Sequence, residues 1–173
     1  METILEVNNV TKQFGGFTAL SDVNLHVNRG ERLGLIGPNG SGKTTLINCI
    51  SGAYTNYQGS IRFDGRDITL LKAHERTKRG IARSFQIPRP FSSMTVMENL
   101  LVPFAFVGGK DGPEQQNEAM TILQGMGLAD KAYVQSNQLS QVELRKMELA
   151  RAMAAKPKLL ILLDFIKGSW ICN

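Results

Sequence analysis

"GPNGSGKTT", residues 37–45, is the stretch on which the fold turns. It fits the pattern G-x-x-x-x-G-K-[ST], and its surroundings give that pattern meaning. Before it, "ERLGLIG" (31–37) predicts a short apolar strand ending in glycine. After it, "KTTLINCISG" (43–52) predicts a helix of about two to three turns closed by Gly52. The glycines let the backbone curl so that successive N–H groups face one anion, and the helix N-terminus adds partial positive charge. Lys43 can reach the β- and γ-phosphates of a nucleoside triphosphate, and Thr44 offers a hydroxyl to Mg²⁺. The candidate nucleotide-binding residues are Gly37, Pro38, Asn39, Gly40, Ser41, Gly42, Lys43, Thr44 and Thr45. A glycine-rich turn that merely opens a helix would not call for the Lys-Thr pair. Such a loop names the ligand but not the job. A GTPase would also carry N-K-x-D to read guanine, and this chain has none.

Working outward, "ILEVNNV" (4–10) and "ALSDVNLHV" (19–27) alternate apolar and polar residues, as half-buried strands do. "GSIRFDGRDI" (59–68) is a strand with a D-G turn signal, and "GIARSFQ" (80–86) is another short strand. "TVMENLLVPFAF" (95–106) and "PEQQNEAMTILQGMG" (113–127) have helical spacing, with Pro113 placed at a helix start. "GGKDGP" (108–113) is a loop. "QVELRKMELARAMAA" (141–155) predicts a helix with the apolar stripe Leu144, Met147, Ala150 and Met153, ended by Pro157. "KLLILLD" (158–164) is a last strand that delivers Asp164. Strands and helices mix in the order of an α/β layer carrying an inserted helical subdomain.

Bulk properties narrow the class. The chain has 173 residues, 42% hydrophobic and 20% charged, enough for one domain with a real core. The net charge of +5 is spread along the chain, and the denser stretch "LKAHERTKRGIAR" (71–83) reads as a solvated helix face rather than a nucleic-acid patch. Cys49 and Cys172 fit no zinc or thioredoxin spacing, and unpaired thiols suit a reducing compartment. His74 reads as a solvated surface residue, and His26, on a strand, has no assigned role. There is no signal-peptide pattern, and no apolar run approaches the ~20 residues of a membrane helix. The expected location is the cytosol, with any membrane role exerted through a partner.

A second constellation makes the reading specific. "NQLSQVELRKMELARAMA" (137–154) places Leu139 and Ser140 at a helix start, followed by the basic pair Arg145 and Lys146 and the run Ala150-Arg151-Ala152. A serine hydroxyl and free N–H groups at a helix N-terminus form another anion site. Together with "GPNGSGKTT", this stretch resembles the ATP-binding subunits of ABC transporters, whose signature is close to L-S-G-G-Q. The resemblance runs from Met1 to Asp164. The segments "FGGFTAL" (14–20), "IARSFQIPRPFSSMTVMENLLV" (81–102) and "GLADKA" (127–132) are similar to the branched-chain amino acid import group in particular.

The resemblance implies a P-loop nucleotide-binding domain over residues 1–164, β-rich at its N-terminus, with a helical subdomain at about 91–155. It implies ATP and Mg²⁺ as ligands, a second ATP-binding subunit and membrane-spanning permease subunits as partners, and no nucleic acid. The subunit would be cytoplasmic, peripheral to the inner membrane through its permease partners, and the partners would choose the substrate. It places Phe14 on adenine and Gln86 against Mg²⁺ or the attacking water. Thr44, Gln86 and Asp164 become the metal candidates. Leu139, Ser140, Gln141, Val142 and Glu143 occupy the signature, which in the family serves the ATP of the opposite subunit. Val142 stands where a glycine is expected, and its branched Cβ would crowd an approaching phosphate. Glu143 stands where a neutral amide is expected. Alternatively, Ser140 and Glu143 have the spacing of a capping box at a well-formed helix start.

After Asp164 the family pattern expects a glutamate that polarises the attacking water, but Phe165 is there, so no catalytic residue is assigned beyond Gln86. "IKGSWICN" (166–173) resembles nothing that follows in the family, so residues 165–173 read as a foreign tail on an incomplete, truncated domain. Two further readings stay open: a nucleotide-binding fragment without turnover, and an ABC-type ATPase acting on nucleic acid. The span from Lys43 to Ser140 holds no heptads, which argues against the latter.

Overall fold

Alternating apolar residues build the first part of the chain as a sheet. In the computed structural model, which describes residues 2–84, 88–108 and 112–163, β1 (Thr3–Phe14) and β2 (Phe17–Asn28) form an antiparallel hairpin turning at Gly15 and Gly16. β1 also pairs antiparallel with β3 (Gln58–Phe63), which turns back into β4 (Arg66–Asp67), giving the order β2-β1-β3-β4. Asp64 and Gly65 both have left-handed φ, 52° and 72°, as the D-G signal requires of a two-residue hairpin turn. Leu5, Val7, Val10, Ile61 and Phe63 are buried on this sheet. These elements and helix α1 (Lys43–Ile50) belong to a compact unit of residues 1–76.

The expected strand at 31–37 is not formed. Residues 31–38 have no regular structure, and Leu33, Leu35 and Ile36 are exposed, Ile36 by 92%. A strand exists by its ladder, and among the described residues none pairs with this stretch. Apolar character supplied the propensity without supplying the neighbour.

The second unit, residues 77–173, is helical around a short parallel pair. β5 (Ile81–Arg83) lies beside β6 (Leu159–Ile161), in the register Ile81↔Leu159 to Arg83↔Ile161. Helices α3 (Val96–Gly108), α4 (Pro113–Gly125) and α5 (Gln141–Ala154) enclose a core of Val96, Leu100, Leu123, Leu128, Met147 and Ala150. Each large apolar side chain there contributes about 1.5–3 kcal/mol by leaving water. Pro113 opens α4, as expected. The stripe on α5 needs one correction: Met147, Ala150 and Ala154 are buried, whereas Met153 is 39% exposed. Positions 147, 150 and 154 follow i, i+3, i+7, and 153 falls off that face.

The segment "KAHERTKRG" also departs from expectation. It contains α2 (Ala73–Lys78), where His74 is exposed as read, but Arg76 has no exposed surface at all. Gln86, Asp164, Phe165 and the tail 165–173 lie outside the described residues.

Candidate nucleotide-binding site

The loop at 37–45 is shaped by two left-handed glycines, Gly40 (φ 84°) and Gly42 (φ 87°). Gly42 is the N-cap of α1; no side chain caps that helix, and no acid lies in its first turn. The first N–H groups of α1 are therefore left for an outside acceptor, with the helix dipole behind them. Packing adds a second demand on glycine. A Cβ at Gly42 would stand 2.7 Å from the Ala19 carbonyl oxygen and 2.8 Å from Leu20 Cδ2. One at Gly37 would meet Ser41 Oγ at 2.8 Å. The loop thus closes on itself and on β2.

Lys43 is folded beneath the loop. Its Nζ donates to the carbonyl oxygens of Gly37 (2.6 Å) and Pro38 (2.7 Å) and to Ser41 Oγ (3.3 Å). Thr44 is exposed beside it and Thr45 half-buried. The donor set, the left-handed backbone and the lack of an acid in the first turn of α1 fit a polyphosphate. Of the metal candidates only Thr44 is described, and among the described residues no cluster of three or more His, Cys, Asp or Glu could hold an ion.

Phe14 ends β1 at the hairpin tip, opposite Phe17, and is 43% exposed. Its ring meets Tyr54 edge-on, centroids 5.4 Å apart at 72°, and Lys12 Nζ lies 4.6 Å from its centroid. The tip and the loop are close in the fold, because Leu20, the ladder partner of Lys12, is the residue packed against Gly42. Sequence reasoning missed Lys12 and Tyr54. The period of two places Lys12 on the same side of β1 as Phe14, so a lysine beside an aromatic was there to be found.

Arg76 was missed too. Its guanidinium donates to the carbonyls of Cys49 (2.6 Å) and Ile50 (2.9 Å) at the end of α1, to those of Leu71 (2.8 Å) and Thr69 (2.9 Å), and to the Tyr57 hydroxyl (3.3 Å). A cation at a helix C-terminus satisfies its last carbonyls and complements its dipole. Gly52 (φ 79°) makes room for it: a Cβ there would lie 2.9 Å from Arg76 Nε. No local signal marks this arginine as buried. Burial pushes the Cys49 thiol pKa up, away from reactivity, against the opposing charges of Lys12 and Arg76.

The signature stretch belongs to the second unit. Ser140 is the N-cap of α5, and the capping box is complete. The Ser140 N–H (2.8 Å) and hydroxyl (2.7 Å) both donate to Glu143 Oε2, and the Glu143 N–H donates to Ser140 Oγ (3.4 Å). Lys131 pairs with the same carboxylate. The hydrogen bond from Lys131, and then those from Ser140, lower the Glu143 pKa to about 2. Leu139 is buried and Gln141 exposed; Val142 is 62% exposed beyond the helix start. The carboxylate at the Glu143 position is turned back onto its own helix and held there.

The family profile described as ABC transporter matches residues 20–164. The Probable branched-chain amino acid transport ATP-binding protein LivG of Archaeoglobus fulgidus is 42% identical, over 95% of this chain and 68% of its own length. The High-affinity branched-chain amino acid transport ATP-binding protein BraF of Pseudomonas aeruginosa is 36% identical, over 92% of this chain and 68% of its own. A crystal structure of the ADP conformation of an ATP-binding cassette of an ABC transporter superposes with a TM-score of 0.84 at 34% identity, covering 98% of this chain and 72% of that one. The profile match and the identity to these relatives over most of the chain show the family: the chain belongs to the ABC transporter family.

Proposed function

We propose that this chain is the ATP-binding subunit of an importer of branched-chain amino acids. The observation that carries the reading is Lys43 at the start of an uncapped α1, directly after two left-handed glycines and folded back onto the loop they shape. The names of the relatives support the substrate class, and their identity over most of this chain supports the role. Among the described residues no helix is long and apolar enough to cross a membrane, so transport would need permease subunits that span it. A second ATP-binding subunit would complete the assembly, which would sit at the inner face of the membrane.

In this reading the N–H groups of residues 40–45 cradle the phosphates, and Lys43 leaves the Gly37 and Pro38 carbonyls for phosphate oxygens. That exchanges neutral acceptors for charged ones, which form the stronger hydrogen bonds. Mg²⁺ would neutralise charge on the phosphate oxygens, with Thr44, Gln86 and Asp164 as its candidate ligands. Phe14 offers a face to adenine. Leu139 to Glu143, at the start of α5, would face the ATP of the partner subunit. Val142 and the capped Glu143 make that contact poor, so ATP-driven pairing should be weak.

Hydrolysis should be slow. Phe165 can neither accept a proton nor orient water, and a positioned base contributes about 10²–10⁴-fold. Phosphate release by this chain with Mg²⁺ and ATP should stay near background. Steady turnover that is abolished by Lys43→Ala would overturn this part of the proposal.

A further inference from the structure

We infer that Lys12 is a positioning residue for the nucleotide base, its buried ammonium fixing the Phe14 ring as a stacking platform; this rests on the nucleotide reading above. Lys12 is only 3% exposed. A buried ammonium is costly unless it is satisfied. Among the described residues no carboxylate pairs with it. Its Nζ instead donates to the backbone oxygen and to Oδ1 of Asn56, both at 2.8 Å. It also lies over two aromatic rings, Phe14 at 4.6 Å and Tyr54 at 5.6 Å from their centroids. The quadrupole of each ring attracts the cation. Phe14 is thereby held by an ammonium and by a T-shaped contact with Tyr54, with the exposed part of its ring still available to a ligand.

The same contacts tie the platform to the phosphate loop from two sides. On β2, Leu20 pairs with Lys12 and packs against Gly42. After α1, the Tyr54 N–H donates to the Asn48 carbonyl at 3.1 Å, and Asn56 lies two residues further on. Lys12 thus joins the hairpin tip to the loop that leaves the phosphate-binding helix. Electron density drawn toward the ammonium leaves the ring poorer, which suits an electron-rich purine stacked on it. The ligand class is a purine nucleoside triphosphate, with the base recognised by its face.

Titration of the full chain with two probes, MgATP and Mg-tripolyphosphate, separates the base from the phosphates. Lys12→Met keeps the length of the side chain and removes the charge. It should weaken MgATP about threefold to tenfold and leave tripolyphosphate unchanged, and Lys12→Arg should recover most of the loss. An equal loss for both probes, or a loss for neither, would overturn the inference. Phe14→Ala is the control for the underlying reading. If it leaves the preference for MgATP over tripolyphosphate intact, the stacking role itself fails. If it removes that preference while Lys12→Met does not, only the role of Lys12 fails. Should Lys12→Met not fold, Tyr54→Leu must give the same base-selective loss, and its absence would overturn the inference.

Discussion

Lys43 Nζ donates to the carbonyl oxygen of Gly37 across 2.6 Å, so the cation of the phosphate loop is bound by the first residue of that loop. The loop is ready-made. Its glycines already hold the left-handed angles, and its lysine already lies beneath them. On the proposed reading, binding would require an exchange of partners at Nζ rather than folding of the loop, which limits the ordering cost.

Gly42→Ala should damage both stability and binding. The left-handed φ of 87° strains any L-residue, and the new methyl would stand 2.7 Å from the Ala19 carbonyl oxygen. Strain of this kind costs about 1–3 kcal/mol. Urea unfolding should show a lower midpoint, and ATP titration a weaker affinity. Unchanged values for both would mean that the hairpin does not press on the loop.

Arg76→Met should destabilise the chain by at least about 2 kcal/mol, since each buried carbonyl left without a partner costs about 1–3 kcal/mol. Four carbonyls accept from this guanidinium, two of them at the end of α1. The unfolding midpoint in urea checks it. Arg76→Lys should recover only part of the loss, because one ammonium cannot reproduce the fork of donors.

Acid should loosen the start of α5. The Glu143 carboxyl titrates at about 2 in the fold against an ordinary 4.5. Its ionised form therefore stabilises the folded state; that contribution is fully present above pH 4.5 and is lost as the pH falls toward 2. Between pH 6 and pH 3, the urea midpoint of the unmodified chain should fall further than that of Glu143→Gln. Parallel declines would show that the Lys131 and Ser140 contacts do not hold the carboxylate in solution.

Much of the candidate site was legible because its chemistry is local. Gly40, Gly42 and Lys43 act within a few residues of one another, and the spacing of Ser140 and Glu143 states a capping box outright. What could not be read depends on distant neighbours. Residues 31–37 carry strand character, but whether they pair is decided elsewhere in the fold. Arg76 lies among charged residues that suggest solvent, and it is buried because carbonyls some 26 residues earlier need donors. The misplacement of Met153 has a different origin. A stripe taken three residues at a time drifts off a helix face that has 3.6 residues per turn.

The central claim is that the loop at 37–45 binds the phosphates of ATP through Lys43. Calorimetric titration of the folded chain with MgATP, beside Lys43→Ala, tests it most directly. The variant should bind more weakly by about 1.5–3 kcal/mol, the value of a charge-assisted hydrogen bond, or about tenfold to 150-fold in Kd. Identical isotherms for the two folded proteins would contradict the account.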